Sequence, residues 1–430
     1  MKKEIKMDFI KEYKKEKIRY EEFKNDPIKL DISRGKPSKK QVDYVASVFK
    51  KAEIEFDLYS NRTGIDKQDV GNYGLLPGIT ELRQLFGELL DLPYENIIIG
   101  GNSSLSLMYD ILSLNLMFGN MQSKTPWYNL ENRKFLCPSP GYDRHFMMTE
   151  YLGFELITIP MTPQGPDMDM VESLVKSDPM IKGIWCTPLY SNPDGYVYSD
   201  ETVERLAKMS TAASDFRIFW DNAYFTHHLV PNKVNKIKNI IKMCEKYNNA
   251  DRVYQFSSTS KISFPGAGVS LIASSKANIE HIQNNFKYRI ICYDKINMFR
   301  HAIVFRTKAD VDTHMEKLAE FNRPKFNSVL EILDDELSEF KNYLHYTRPE
   351  GGYFISLYTM EGCAKRTYQL CKEAGLVITT VGDTYPYGKD AKDSNIRIAP
   401  TFPELDELNK SISLLACCIK IAILEKLTDN

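Results

Sequence analysis

Three segments of the chain carry side chains that suit covalent or acid–base chemistry. Lys261 ends a run of small hydroxyl residues that directly follows the apolar stretch 253–256. Upstream, Asp221 and Tyr224 lie close together, and a third segment spans residues 188–193. A lysine at a strand end suits Schiff-base formation, whereas an aspartate and a tyrosine at other strand ends suit the ring of a pyridine cofactor. Together these segments predict pyridoxal phosphate chemistry.

Each of these features has a simpler interpretation when it is taken singly. Lys261 could be a surface lysine, Asp221 an ordinary aspartate at a strand end, and Tyr224 part of the core. The sequence Asn-Pro-Asp-Gly at 192–195 is most simply a turn. The order and spacing of all of them together are what favour the cofactor interpretation.

A glycine-rich loop at residues 100–104 predicts an anion site. It contains Asn102, Ser103 and Ser104, follows the expected strand 96–99 and precedes a helix. Glycines allow close backbone approach, and amides at a helix N-terminus attract anions. The dinucleotide pattern G-x-G-x-x-G is absent from this loop. The alternative is a helix N-cap, which the serines would also serve.

The elements that must position these residues alternate between strands and helices. Short apolar runs predict strands at 96–99, 134–137, 155–159, 181–186, 217–220, 253–256 and 269–273, separated by helix-like stretches. This alternation predicts an α/β domain with a mainly parallel sheet. We expect helices at 4–25, at 309–343 with a break near 323–324, near 361–375 and at 404–426, with a loop at 30–38.

Composition narrows the function classes. The chain has 430 residues, of which 43% are hydrophobic and 26% charged, and its net charge is -1. This profile predicts a globular protein without a nucleic-acid-binding or membrane-binding charge field. The charged N-terminus is unlike a signal peptide, and the most apolar segment, 412–424, is too short to cross a bilayer.

The cysteines predict a reducing cellular compartment, and the histidines predict no metal site. The eight cysteines form no C-x-x-C pair and lie in apolar segments, which predicts buried thiols in a cytoplasmic protein. The seven histidines show no ligand spacing, so we expect no metal site.

Three motifs carry a resemblance to a known family. They are Ser-Arg-Gly-Lys-Pro at 33–37, Ser-Pro-Gly-Tyr-Asp-Arg-His-Phe at 139–146 and Ser-Lys-Ile-Ser-Phe-Pro-Gly-Ala-Gly at 260–268. The chain resembles the class I and II aminotransferases, which are fold type I enzymes dependent on pyridoxal phosphate. Within them it is similar to a divergent aspartate aminotransferase subgroup, related to the aminotransferase half of MocR-type regulators. We expect no winged-helix DNA-binding domain, because too few residues precede position 30.

The resemblance implies a domain organisation and a homodimer with shared active sites. Residues 1–48 would form an N-terminal helix and segment that pack with the small domain. Residues 49–310 would form the large cofactor-binding domain, and residues 311–430 the small α+β domain. Tyr73 matches the family tyrosine that reaches the cofactor phosphate of the neighbouring subunit.

The resemblance also implies roles around the cofactor ring. Lys261 would form the Schiff base, Asp221 would pair with the pyridine nitrogen, and Tyr224 and Asn192 would hydrogen-bond the phenolic oxygen. Tyr142 would stack on the ring. His145 matches a residue that supports the aspartate, although a satisfied core histidine is the alternative interpretation.

Further roles concern the phosphate and the substrate. Ser258 would add a phosphate contact to those of residues 102–104. Arg397 matches the arginine that clamps the α-carboxylate, since a guanidinium can form two parallel hydrogen bonds with it. Asn192 and Gly35 would also contact the substrate. The alternative for Arg397 is a surface arginine at a strand end.

Two points in the motifs are unresolved by sequence. Most of the superfamily carries a phosphate-binding arginine seven or eight residues after the lysine, but Gly268 and Val269 stand there. A dicarboxylate substrate needs a second cation, and the candidates are Arg34, Arg144, Lys295 and Arg300. Each of these could instead be a solvated residue or part of a structural ion pair.

These observations predict an aminotransferase that moves an amino group from aspartate or glutamate to a 2-oxo acid such as 2-oxoglutarate, with ping-pong kinetics. A β-lyase, or an aminotransferase for aromatic or neutral amino acids, is the alternative within the same fold. A non-catalytic regulator that senses the cofactor and a nucleotide-binding dehydrogenase are alternatives from other classes. The near-zero net charge and the absent glycine fingerprint disfavour them.

Overall fold

The protein is described by a computed structural model that covers residues 2–25, 30–58 and 69–429. Its helices are α1 Lys2–Asn25, α2 Lys39–Leu58, α3 Thr80–Leu90, α4 Ser104–Phe118, α5 Asp143–Tyr151, α6 Met168–Ser177, α7 Asp200–Lys208, α8 Ile240–Lys246, α9 Lys276–Phe286, α10 Lys295–Val304, α11 Lys308–Glu336, α12 Ala364–Glu373 and α13 Leu405–Asp429.

The strands form one large sheet and two small ones. They are β1 Leu30–Asp31, β2 Ile97–Ile99, β3 Lys134–Ser139, β4 Glu155–Thr162, β5 Gly165–Pro166, β6 Ile181–Cys186, β7 Arg217–Asp221, β8 Val253–Ser258, β9 Ser270–Ala273, β10 His345–Tyr346, β11 Ile355–Tyr358, β12 Leu376–Val377 and β13 Asn395–Ile398. The large sheet has eight strands in the order β2-β9-β8-β7-β6-β3-β4-β5.

The centre of the large sheet is parallel. β4, β3, β6, β7 and β8 run in the same direction, whereas β9, β2 and β5 pair antiparallel with their neighbours. All residues of β6, β7 and β8 are buried. Strands covered by helices on both faces read as continuous apolar runs, which is why these segments could be recognised from sequence. The predicted α/β class with a mainly parallel sheet is confirmed.

Parallel strands bring distant residues to one edge of the sheet. Asp221 is the last residue of β7, and Lys261 lies in a turn three residues after the end of β8. Because β7 and β8 are hydrogen-bonded neighbours, their carboxyl ends meet at this edge. Open α/β sheets bind ligands at this end.

The C-terminal part has its own core, in which the N-terminal segment takes part. Buried residues from 326–424 cluster with Tyr20, Leu30 and Ile32. Lys420 of α13 donates to the buried Glu16 of α1 at 2.8 Å. The division at 48/49 and 310/311 stays a prediction, and its second boundary falls inside α11.

The predicted break near residues 323–324 is wrong, since α11 is continuous through Pro324. An interior proline costs about 3 kcal/mol because it removes a hydrogen bond and clashes with the preceding turn. The buried face of α11 continues on both sides of the proline, from Leu318 to Phe326 and Leu333. Packing of that face therefore outweighs the local cost. The helix also ends earlier than expected, at Glu336.

Other boundaries differ only slightly from the expected ones. The loop expected at 30–38 begins with β1, which pairs parallel with β12. All eight cysteines lie in the described ranges and carry free thiols. Within those ranges, no helix is both long and apolar enough to cross a membrane.

Candidate active site

A cavity of about 780 Å³ opens where the carboxyl edge of the large sheet faces the C-terminal part. Its lining contains most of the residues predicted from sequence, namely Arg34, Gly35, Ser103, Ser104, Tyr142, Arg144, Asn192, Asp221, Tyr224, Ser258, Lys261 and Arg397. Residues separated by more than 350 positions in the chain thus share one cavity.

Lys261 places its ammonium group above two aromatic rings. Its Nζ lies 5.1 Å from the centre of the Tyr224 ring and 5.8 Å from that of Tyr353. Burial lowers the pKa of Lys261, and the negative charge of Asp221 opposes this effect only in part. A lowered pKa raises the fraction of neutral amine, which is the form that can attack a carbonyl or accept a proton.

Only one of the two carboxylate oxygens of Asp221 has a hydrogen-bond partner among the described residues. Only 5% of the residue is exposed, and its Oδ2 lies 3.0 Å from Nε2 of His145. Its second oxygen, Oδ1, is buried and has no hydrogen-bond partner among the described residues. A buried carboxylate oxygen without a partner is costly, so this oxygen fits a ligand that brings a donor.

His145 is fixed between two aromatic side chains. Its ring stacks on Trp185 with a centroid distance of 4.2 Å, and the Tyr142 ring meets it edge-on at 5.0 Å. This packing fixes the imidazole so that its Nε2 points at Asp221. Burial raises the pKa of Tyr142 to about 12, so this tyrosine stays protonated and neutral.

The hydroxyl-rich end of the cavity lies at the N-terminus of α4. Ser103 caps this helix, since its Oγ accepts from the amide of Leu105 at 3.2 Å. Ser258 donates to Ser260 at 3.1 Å from the opposite wall. Free amides and hydroxyls around a helix N-terminus make an anion site.

Asn102 lies beside this end rather than in it. Its side-chain amide donates to the backbone carbonyl of Gly266 at 3.1 Å, and its backbone carbonyl accepts from Ser260 Oγ. Asn102 lines a neighbouring cavity of about 270 Å³ together with Gly268 and Arg300. Its side chain thus joins the loops that shape the anion site.

Gly268 has no room for a side chain. A Cβ atom there would lie 2.8 Å from Thr259 Oγ1 and 3.2 Å from the amide nitrogen of Ser260. Thr259 Oγ1 also accepts from the amide of Val269 at 2.9 Å, which ties this turn together. The local packing therefore excludes an arginine at position 268.

Arg397 reaches the cavity from β13 and is well supported. Its Nε donates to Thr379 Oγ1 at 3.2 Å, and its Nη1 donates to Asn192 Oδ1 and Asp143 Oδ1, each at 3.3 Å. The guanidinium also lies 4.9 Å from the centre of the Phe354 ring. Gly35 packs against Phe354, where a Cβ would come within 2.5 Å of Cζ. This packing fixes the floor of the cavity below the guanidinium.

The other candidate cations divide into two groups. Arg34 and Arg144 are exposed and line the cavity. Lys295 donates instead to the backbone carbonyls of Asp69 and Tyr73, and Arg300 lines the smaller cavity. Arg34 and Arg144 are therefore placed to contact a substrate, whereas Lys295 and Arg300 do not line the main cavity.

Tyr73 does not line the cavity. The side chain is 80% exposed, and the segment that carries it is held by Lys295. An exposed tyrosine fixed in this way is available to a second copy of the chain.

Sequence reasoning missed several residues of the cavity. Asp143, Thr379, Asp383 and Phe354 line it, and Trp185 and His227 lie directly behind it. Asp143 is in a motif that was singled out, yet its contact with Arg397 spans 254 positions. Burial and the charge of Lys261 lower the pKa of His227 to about 3, so it is neutral. Within the described ranges, no cluster of side chains could hold a metal ion.

Comparisons with known proteins give matches over nearly the whole chain. The family model described as aspartate amino-transferase matches residues 7–430. The aspartate aminotransferase of Corynebacterium glutamicum is 41% identical over 409 residues, which cover 95% of this chain and 93% of that protein. A crystal structure of an aspartate transaminase from the same species superposes with a TM-score of 0.94 at 40% identity, covering 98% of this chain and 97% of the other.

A more distant structure shares the fold alone. It is the α-aminoadipate aminotransferase of Thermus thermophilus, complexed with N-(5'-phosphopyridoxyl)-L-leucine. It superposes with a TM-score of 0.74 at 17% identity and covers 92% of each chain. The expected fold type I architecture is confirmed.

Proposed function

The chain belongs to the aspartate aminotransferase family and is an aminotransferase; we propose that it uses pyridoxal phosphate to move the amino group of aspartate or glutamate to 2-oxoglutarate. The observation that carries this proposal is the buried Oδ1 of Asp221, which has no partner among the described residues and shares a cavity with the Lys261 amine.

The residues present fit the cofactor. Lys261 would hold it covalently, Tyr142 would cover the ring, and Asp221 would keep the ring nitrogen protonated through its open oxygen. The hydroxyls of Ser103, Ser104 and Ser258 would take the phosphate. When bound, pyridoxal phosphate supplies an electron sink that stabilises negative charge on the substrate Cα.

The protein's own groups would then handle the proton and the substrate. Once the substrate amine has taken its place on the cofactor, the freed and neutral Lys261 amine would take the proton from the substrate Cα. Arg397 holds the α-carboxylate, so that the Cα–H bond faces Lys261. His145 holds the Asp221 carboxylate in position through the contact between its Nε2 and Oδ2 of Asp221.

The phosphate would be held without the usual arginine. Position 268 has no space for one, and helix α4 offers its N-terminus with the hydroxyls around it. A helix N-terminus carries roughly half a positive charge, which offsets part of the phosphate charge. Tyr73 from the neighbouring subunit would add a further donor.

The substrate preference rests on cavity charge and on kinship. Arg34 and Arg144 line the cavity in addition to Arg397. A side-chain carboxylate brought out of water needs a paired cation. The related enzymes of Corynebacterium glutamicum are named for aspartate. These points favour a dicarboxylic donor over alanine or phenylalanine.

Further features belong to the same proposal. The enzyme would be a cytoplasmic homodimer with shared active sites, divided into residues 1–48, 49–310 and 311–430. The kinship with the aminotransferase half of MocR-type proteins is proposed on the motifs alone. A β-lyase, or an aminotransferase for aromatic or neutral amino acids, is the second candidate.

A donor panel tests the proposal. Purified holoenzyme is assayed with aspartate, glutamate, alanine and phenylalanine, each with 2-oxoglutarate, and kcat/KM is compared. The proposal expects the acidic donors to lead. A preference for alanine or phenylalanine would refute the dicarboxylic assignment, and release of pyruvate from β-substituted donors without amino transfer would favour the lyase.

A further inference from the structure

Arg397 has an anionic side chain beside it within the cavity. Asp143 Oδ1 lies 3.3 Å from Nη1, the same nitrogen that donates to Asn192. The second oxygen of Asp143 lies 4.0 Å from Nε of Arg144. Asp143 therefore stands between two arginines, one deep in the cavity and one at its mouth.

We infer that Asp143 is a displaceable internal counter-ion of Arg397, which the substrate α-carboxylate replaces while Asp143 turns to Arg144. This inference rests on the proposed function, because it takes Arg397 to be the α-carboxylate site. It assigns Asp143 a positioning role before the substrate arrives.

The burial of the two partners supports this exchange. The Arg397 side chain is only 9% exposed, so its charge needs a nearby anion when no substrate is bound. The Asp143 side chain is 23% exposed and begins helix α5, so it can rotate. A separation of 3.3 Å is longer than the 2.7–2.9 Å of a strong charge-assisted hydrogen bond. The contact is thus close enough to neutralise Arg397 and weak enough to yield.

A further carboxylate in the cavity, that of Asp383, favours replacement of Asp143 by the substrate carboxylate over binding of the substrate beside Asp143. Asp383 lines the same cavity, and burial raises its pKa, with the charge of Asp143 adding to the effect. The cavity around Arg397 is therefore already rich in negative charge. A substrate carboxylate that enters while Asp143 stays in place would meet like-charge repulsion.

The exchange has a consequence for substrate specificity. Once Asp143 turns outward, it occupies Arg144, which is then no longer free for a side-chain carboxylate. Arg34 and Lys36 remain as exposed cations of the described lining, and since the Lys36 ammonium lies over the Phe402 ring, we expect Arg34 to discriminate dicarboxylic substrates. The inference therefore separates the roles of Arg34 and Arg144.

The test is carboxylate binding to the holoenzyme, measured by isothermal titration calorimetry with propionate and succinate as probes. Asp143→Asn keeps the shape and removes the charge. It should tighten the binding of both probes by a similar factor, about twofold to fivefold, the upper part of the range for a competing, partly exposed ion pair. Asp143→Ser is the second variant and should act in the same direction.

The matched control is Asp383→Asn. Asp383 lies in the same cavity but forms no ion pair with Arg397 within 4 Å in the described structure. Its removal should tighten the binding of either probe by less than about 1.5-fold, because Asp383 repels an incoming carboxylate from a distance but makes no direct contact with Arg397. Equal effects of both variants would show a general field instead of a specific counter-ion and would overturn the inference.

Two arginine variants complete the design. Arg144→Ala should weaken the binding of propionate and succinate alike, because the displaced Asp143 side chain loses its partner. Arg34→Ala should weaken the binding of succinate alone. The inference would be overturned if the Asp143→Asn variant bound the two probes no more tightly than the wild type. It would also be overturned if Arg144→Ala weakened the binding of succinate alone. These binding measurements require no catalytic turnover. A donor panel that refutes the proposed function is therefore a separate result from a failure of this inference.

Discussion

Replacing Asp221 by asparagine should separate catalysis from folding. The substitution keeps the shape of the side chain and removes its negative charge. His145 Nε2 lies 3.0 Å from Oδ2 and can donate to the asparagine oxygen. The asparagine amide then points where the open Oδ1 pointed. An amide donor in that place favours an unprotonated pyridine nitrogen, which is the weaker electron sink.

The magnitude follows from the burial of this contact. A hydrogen bond to a charged group contributes about 1.5–3 kcal/mol, and a preorganised group directed at developing charge about 2.7–4 kcal/mol. Since about 1.36 kcal/mol corresponds to a factor of ten in rate, kcat should fall by roughly 10²–10³-fold. The free energy of unfolding should change by less than about 1 kcal/mol, because the His145 contact is retained.

The assay couples oxaloacetate formation from aspartate to NADH oxidation and is paired with urea unfolding. Asp215→Asn is the matched control, because Asp215 is also buried and binds Lys182 at 2.8 Å, yet it does not line the cavity. The control should lose stability and keep kcat. Near-wild-type turnover of Asp221→Asn with the cofactor still bound would refute the role given to Asp221.

Three further outcomes follow from the structure. Arg397→Ala should raise KM for acidic and neutral donors alike by about tenfold to a hundredfold, because one or two charged hydrogen bonds are lost. An increase in KM that is confined to aspartate in steady-state kinetics would contradict this. Mixing Lys261→Ala with Tyr73→Phe should restore part of the activity, because one hybrid site holds both intact residues; no recovery despite proven subunit exchange would argue against shared sites. Burial raises the pKa of Asp215, but the hydrogen bond and charge of Lys182, together with the hydrogen bonds from Trp127 and Ser123, outweigh it and leave the pKa below its usual range. The stability it provides is therefore present above about pH 4 and lost as the pH falls below that value, so acid unfolding of Asp215→Asn should show a shallower pH dependence there; identical slopes would refute this.

The sequence predicted what depends on short segments. The strand ends that carry Asp221 and Lys261 could be located because buried parallel strands read as apolar runs flanked by polar residues. The helix capped by Ser103 could be recognised from its glycines and serines. Other residues of the cavity lining, such as Tyr142 and Arg397, were predicted from the resemblance to the aminotransferases.

Contacts between distant segments could not be read in the same way. The pairing of Arg397 with Asp143 joins residues 254 positions apart, and no local pattern encodes it. The continuity of α11 through Pro324 depends on a buried face that packs on both sides of the proline. Tertiary packing overrode a local propensity there.

The most direct test of the account is the covalent attachment of the cofactor. Borohydride reduction of the holoenzyme, followed by peptide mapping, should place the pyridoxyl group on Lys261, the lysine whose pKa burial lowers beside Asp221. A label on a different lysine, or an active enzyme from which reduction yields no labelled peptide, would contradict the account.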